Sequence, residues 1–98
     1  MSNPPTSALR FAVNVTPRPG ILDPQGRAVE QSLHHLEISG VSGVRVGRRV
    51  ELTVSAASEA AARSIVDRLA RELLSNPLIE AYDVELLGGG EQGPGAVE

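Results

Sequence analysis

Two adjacent histidines, His34 and His35, are the side chains here whose type best suits proton transfer or metal binding, and their spacing argues against both. Neighbouring side chains on a helix diverge by about 100°, so the pair cannot chelate one ion. The apolar stripe of Val29, Leu33 and Leu36 sets His34 on the solvent side and His35 on a flank, so both read as surface histidines. Nucleophilic catalysis has less to draw on. There is no Cys, and the serines fall at a helix cap (Ser58), a helix end (Ser75) or a strand face (Ser55), none in a Gly-x-Ser-x-Gly elbow. Phosphate grips are missing too: no Walker-type loop occurs, the chain has no Lys, and Gly88-Gly89-Gly90 follows the last strand instead of preceding a helix. The loop from Gly20 to Asp23-Pro24 does enter a helix N-terminus, where free N–H groups suit an anion. Asp23 is itself placed to occupy that position.

Two features stand out. Gly26 sits in the first turn of a helix, at a cost of about 0.5–1 kcal/mol relative to Ala, which makes sense where another backbone must come close. Arg45, Arg48 and Arg49 cluster in a chain whose formal charge is −3, and read as ordinary surface charge or as a docking or phosphate-facing edge. The net charge argues against nonspecific nucleic-acid binding. Base stacking on a sheet needs aromatic rings, and the outward positions Asn14, Thr16, Glu51, Thr53 and Ser55 offer none. An acylphosphatase-like site would use Arg18 and Gly20, but the surrounding pattern is missing.

The elements that must position these residues are legible from periodicity. Leu9, Phe11, Val13 and Val15 alternate with polar residues as a half-buried strand, ended by Pro17-Arg18-Pro19-Gly20. Asp23-Pro24 starts a helix carrying Val29, Leu33 and Leu36, with Gly40 as its stop. Val44 and Val46 suggest a short second strand, joined through Gly47-Arg48 to a third at Val50, Leu52 and Val54. Ser58 caps a second helix with a stripe of Ala62, Ile65, Val66, Leu69, Ala70 and Leu73. Glu59–Arg63 and Asp67–Arg71 form i,i+4 pairs, and Asn76-Pro77 breaks the helix. Tyr82, Val84 and Leu86 mark a last strand. The order β-α-β-β-α-β predicts an α+β, two-layer sandwich related to ferredoxin-like folds, with two helices on one face of an antiparallel sheet.

At 98 residues the chain has room for one domain, expected over 8–87, with residues 1–7 and 88–98 as disordered arm and Gly-rich tail. A unit this small buries only about 60% of the surface its unfolded chain exposes, and disulfides are excluded. Association is then the simplest way for it to stay folded. No run approaches a membrane span, and neither an apolar leader nor a charged start is present, so the expected place is the cytoplasm.

Three segments together carry a resemblance: Gly20-Ile21-Leu22-Asp23-Pro24-Gln25-Gly26 with Ala28-Val29, then Val44-Arg45-Val46-Gly47-Arg48, then Leu73-Leu74-Ser75-Asn76-Pro77-Leu78-Ile79-Glu80. In order and spacing they resemble the PurS family, the small subunits of phosphoribosylformylglycinamidine synthase, with Arg48 where Lys is common. The resemblance implies a non-catalytic subunit that assembles as a homodimer or homotetramer. Copies would join by strand exchange or edge pairing. Such a subunit bridges a glutaminase and a large ATP-dependent synthase, supporting ammonia transfer as formylglycinamide ribonucleotide becomes its amidine. It implies no cofactor in this chain, with ATP and Mg²⁺ used by the large subunit, and no nucleic-acid or membrane partner. Candidate docking residues are Asp23, Pro24, Gln25, Gly26, Arg45, Gly47, Arg48, Asn76 and Pro77. The residues agree, since a chain without thiol or phosphate grip leaves glutamine hydrolysis and ATP use to other chains. The alternative is an ACT-like small-molecule-sensing dimer with the same element order, whose ligand-gripping loop would here be stiffened by Pro17 and Pro19.

Overall fold

The computed structural model describes residues 7–89. Strand β1 spans Ser7–Pro17, helix α1 Pro24–His35, strand β2 Arg48–Ala56, helix α2 Glu59–Leu69 and strand β3 Glu80–Gly89. At its end α2 widens into a π-helical turn over Ala70–Leu74. The strands form one antiparallel sheet in the order β2-β1-β3. Ser7, assigned to the arm from the sequence, belongs to β1, and Gly88 and Gly89, assigned to the tail, belong to β3. The arm before Ser7 and the tail after Gly89 lie outside the described residues.

The centre of the sheet follows from the composition of β1. Phe11 stands opposite Leu52 and Leu86, and Val13 opposite Val50 and Val84, so apolar pairs cross both strand junctions. Helix α2 lays Ala62, Val66 and Ala70 over this face, and all three are buried with Phe11, Val13 and Val15. Alanine at two of these i,i+4 positions lets the helix sit close, and Phe11 fills the space beneath. Full burial of such a side chain contributes about 1.5–3 kcal/mol. Tyr82 ties β3 to the helix, its hydroxyl donating to Asp67 Oδ1 at 2.8 Å.

The opposite face of the sheet is ionic. Arg10 and Arg49 both reach Glu51, Arg49 also reaches Glu85, and the Asn14 amide donates to Asp83 and Glu85. Ala12 lies fully buried among these groups.

The α+β class and the antiparallel sheet agree with the sequence reading, while several details differ. Among the described residues there are three strands, not four: Val44 and Val46 lie in extended coil. Their N–H groups are taken by carboxylates of the α1 region, Val44 by Glu30 Oε2 at 2.9 Å and Val46 by Asp23 Oδ2 at 2.8 Å, so no ladder forms. Of the two helices expected on one face, only α2 packs there. The same two carboxylates hold α1 against its own return segment, leaving Val29 42% and Leu36 65% exposed. On α2, Ile65 and Leu73 are exposed as well, because three strands accommodate only the Ala62–Val66–Ala70 row. Helix α1 also stops before Gly40. Glu37 takes the left-handed conformation (φ 57°), the Glu37 N–H donates to the His34 carbonyl and the Ile38 N–H to the Leu33 carbonyl, a Schellman ending without glycine.

Candidate functional site

One end of the sheet gathers the three segments that the sequence singled out. Pro17 pairs with Glu80 and Val15 with Arg48, so the end of β1 and the starts of β2 and β3 meet there. The loop into α1, the return segment to β2 and the turn after α2 all close over this end. Two polar knots hold them.

The first knot is built on Asp23. As helix N-cap it accepts from the Gly26 N–H through Oδ1 at 3.0 Å, while Oδ2 accepts from Val46. These two N–H groups hold its carboxyl below the usual carboxylate range, with a smaller attraction from Arg45. Gly26 is buried beneath, and a Cβ there would run into the Val44 carbonyl oxygen. A backbone does come close to Gly26, and it is the chain's own. Gly47 has a similar reason: a Cβ would meet the Val15 carbonyl oxygen and the Thr16 side chain.

The second knot is built on Arg48. Its two terminal nitrogens donate to the two Glu80 oxygens at 2.9 Å each, and Nη2 also reaches the Leu74 carbonyl at 2.6 Å. Glu80 Oε1 in turn accepts from the Asn76 N–H at 2.8 Å. Arg48 first and Asn76 second hold the Glu80 carboxyl low, and Glu80 raises the Arg48 guanidinium further. The Asn76 side chain accepts from the Leu78 N–H, and its carbonyl from Ile79 and Glu80. Ser75 donates to the Ala70 carbonyl, so the widened helix end has its carbonyls capped by Ser75 and Arg48. Arg18 closes the turn from the other side, Nε to the Pro77 carbonyl at 2.8 Å and N–H to the Ile79 carbonyl at 2.9 Å.

Between the knots lies an open cleft of about 600 Å³. Asp23, Pro24, Gln25, Gly47 and Arg48 line it, with Ile21, Leu22, Val46 and Ile79 supplying apolar walls. Gly26 lies beneath, Arg45 in the adjoining depression, and Asn76 and Pro77 on the turn beside Glu80. All nine residues singled out from the sequence thus come to one end of the sheet. The arginine cluster divides instead. Arg48 belongs to the second knot, Arg49 to the ionic sheet face, and Arg45 to the depression. Sequence reading did not single out Glu80 and Arg27 as site residues, and weighed Arg18 only for an acylphosphatase-like loop. Glu80 was visible only as the last residue of a motif, and Arg27 carried no motif signal of its own.

Chemically the end is a scaffold. The carboxyls with resolved shifts, Asp23 and Glu80 at this end and Glu51 and Asp67 elsewhere, are all lowered and held as anions. A general acid needs the opposite shift. Among the described residues no three metal-ligating side chains come together, and both histidines are exposed on α1.

Comparison with known proteins gives a consistent result. The PurS family profile, described as phosphoribosylformylglycinamidine (FGAM) synthase, matches residues 10–88. The phosphoribosylformylglycinamidine synthase subunit PurS of a Synechocystis strain is 45% identical over 74 residues, covering 76% of this chain and 74% of that one. The subunit of the same name from Thermotoga maritima is 35% identical over 78 residues, covering 80% and 95%. The crystal structure of the Thermotoga maritima purS subunit superposes with a TM-score of 0.76 at 33% identity, over 84% of this chain and 94% of that one. A chain of the structure of PurLQS from Thermotoga maritima gives 0.74 at 34% identity, over 82% and 98%.

Proposed function

This chain belongs to the PurS family, and from that premise we propose that it is the non-catalytic small subunit of a phosphoribosylformylglycinamidine synthase. The complex would convert formylglycinamide ribonucleotide, glutamine and ATP into the amidine, glutamate, ADP and phosphate in purine biosynthesis. A glutaminase chain releases ammonia, a large synthase chain uses ATP and Mg²⁺, and this chain bridges the two so that ammonia passes between them. The observation that carries the reading is the economy of the sheet end. The polar groups of the shared segments hold one another, leaving a rigid, apolar-walled surface and no poised acid, base or nucleophile. Such a surface suits docking.

The subunit would associate with itself, as a dimer or tetramer. Helix α1 supports this, since Val29 on it and Leu36 at its end stay exposed among the described residues. No helix among the described residues is long and apolar enough to cross a membrane, and we place the complex in the cytoplasm. Against ACT-like ligand sensing stands the loop after β1, which Arg18 fixes by two bonds to the turn at 77–79.

The test is reconstitution. Purified glutaminase and synthase chains are assayed for glutamine-dependent amidine formation with and without this chain. We expect turnover to depend on it, while turnover with free ammonium as nitrogen source persists without it. Glutamine-dependent turnover that is indifferent to the chain would defeat the proposal.

A further inference from the structure

The arginines of this protein divide into two groups. Arg10, Arg48, Arg49, Arg63, Arg68 and Arg71 are ion-paired. Arg18, Arg27 and Arg45 form no ion pair among the described residues, and these three line one open depression of about 320 Å³ beside the cleft. All three are exposed. The Arg18 side chain uses only Nε, on the Pro77 carbonyl, which fixes its stem and leaves its terminal nitrogens without a hydrogen bond among the described residues. The one carboxylate on the wall, Asp23, has both oxygens occupied by Gly26 and Val46. Ile21 and Leu22 stand exposed on the same wall, at 38% and 67%.

Resting on the docking role proposed above, we infer that this depression is the seat of an acidic surface of a partner chain of a different kind, carboxylates flanked by a small apolar side chain. Guanidinium groups pair with carboxylates in a two-pronged geometry and are enriched where interface energy concentrates. The depression is too open to enclose a small ligand, since small-molecule sites bury most of the ligand surface. Apolar residues beside the charges fit a protein partner better. A second copy of this chain is a poor occupant. Of its carboxylates among the described residues, those at 51, 59, 67, 72, 80 and 85 are ion-paired and those at 23, 30 and 83 hold N–H groups, which leaves Glu37 alone to set against three guanidinium groups.

The experiment compares the full chain with R27E/R45E and with R68E as a remote charge reversal, each titrated into fixed glutaminase and synthase chains. R27E/R45E should need at least about tenfold more chain for half-maximal glutamine-dependent turnover, the scale of losing contacts to charged groups. Its melting curve and oligomeric mass should match the parent, and R68E should titrate as the parent does. Raising NaCl from about 50 to about 300 mM should weaken the parent and barely change R27E/R45E. Equal half-saturation by R27E/R45E and parent overturns the inference alone, whereas a parent that never stimulates turnover overturns the subunit reading with it. A changed oligomeric mass in R27E/R45E would reassign the depression to self-association. Binding of inorganic phosphate by the parent, lost in R27E/R45E, would reassign it to a small anion. Either result overturns the inference.

Discussion

Asp23 and Gly26 show how much one turn of chain can fix. The aspartate caps the start of one helix with Oδ1 and tethers the segment before β2 with Oδ2, while the glycine lets that segment's carbonyl pass. Gly26→Ala places a methyl group against backbone on one side and the Asp23 carboxylate on the other, neither of which can rotate away. It should cost about 1–3 kcal/mol, the range for overpacking a fixed site, read as a shift in urea midpoint at unchanged slope. The acid response follows from the same carboxylates. Asp23, Glu51, Asp67 and Glu80 are lowered in the folded chain, so as pH falls the unfolded chain takes up protons first. Their stabilisation is complete above the unfolded carboxyl values and is lost as pH falls through the lowered folded ones. The melting temperature should therefore fall between about pH 5 and about pH 3, and D23N/E80Q should fall less steeply from a lower start. A parent curve flat across that window would contradict the knots. The sequence showed that Gly26 needed a reason and that Asp23 was a cap. It could not show that the second Asp23 oxygen reaches a valine 23 positions later, because nothing in local spacing encodes that contact.

At the scale of elements, the parts governed by local chemistry were legible. Asp23 and Ser58 cap their helices, Pro77 follows the end of the π turn, and β1, β2 and β3 keep their apolar alternation. The parts settled by competition between distant groups were not. Val44 and Val46 have the spacing of a strand, yet carboxylates of the α1 region outcompete a ladder for their N–H groups. The stripe on α2 and its π turn is apolar at Ile65 and Leu73, yet those stay exposed because the three-stranded sheet accommodates only the Ala62–Val66–Ala70 row. The end of α1 illustrates the same point. Gly40 offered the cheapest left-handed residue, but the apolar run gave out earlier and Glu37 adopts that conformation instead. A side chain in the left-handed region carries a penalty of about 1–2 kcal/mol, part of which glycine returns through unfolded-state freedom. Glu37→Gly should then stabilise the chain by about 0.5–1 kcal/mol in urea unfolding. An unchanged or lowered midpoint would mean that the Schellman ending does not limit this helix.

At the scale of the molecule, the fold is half-layered. One helix covers one face of a three-stranded sheet, and a second helix stands apart with Val29 and Leu36 exposed beside Ile38 and Val41. Scattered apolar residues on a surface are ordinary, but here Val29 and Leu36 belong to the apolar side of an amphipathic helix that does not pack on its own sheet. A small domain in this condition gains stability from any surface that removes those residues from water, and a second copy offers one at the highest effective supply. Under the self-association proposed above, folding and association are linked, and linkage makes stability depend on concentration. The melting temperature should rise by a few degrees for each tenfold increase in chain concentration, as expected when association contributes about 1 kcal/mol per decade. V29D/L36D should abolish that dependence and sediment as a monomer, while its far-ultraviolet spectrum keeps the strand and α2 contributions, since Phe11, Val13, Val66 and their neighbours are untouched. A parent whose melting temperature ignores concentration while its sedimentation is monomeric would leave α1 uncovered by a second copy, and cover would have to come from the larger chains alone. Persistence of the parent's oligomer in V29D/L36D would move the self-interface off α1 to the sheet edges, where β2 and β3 each keep one unpaired side.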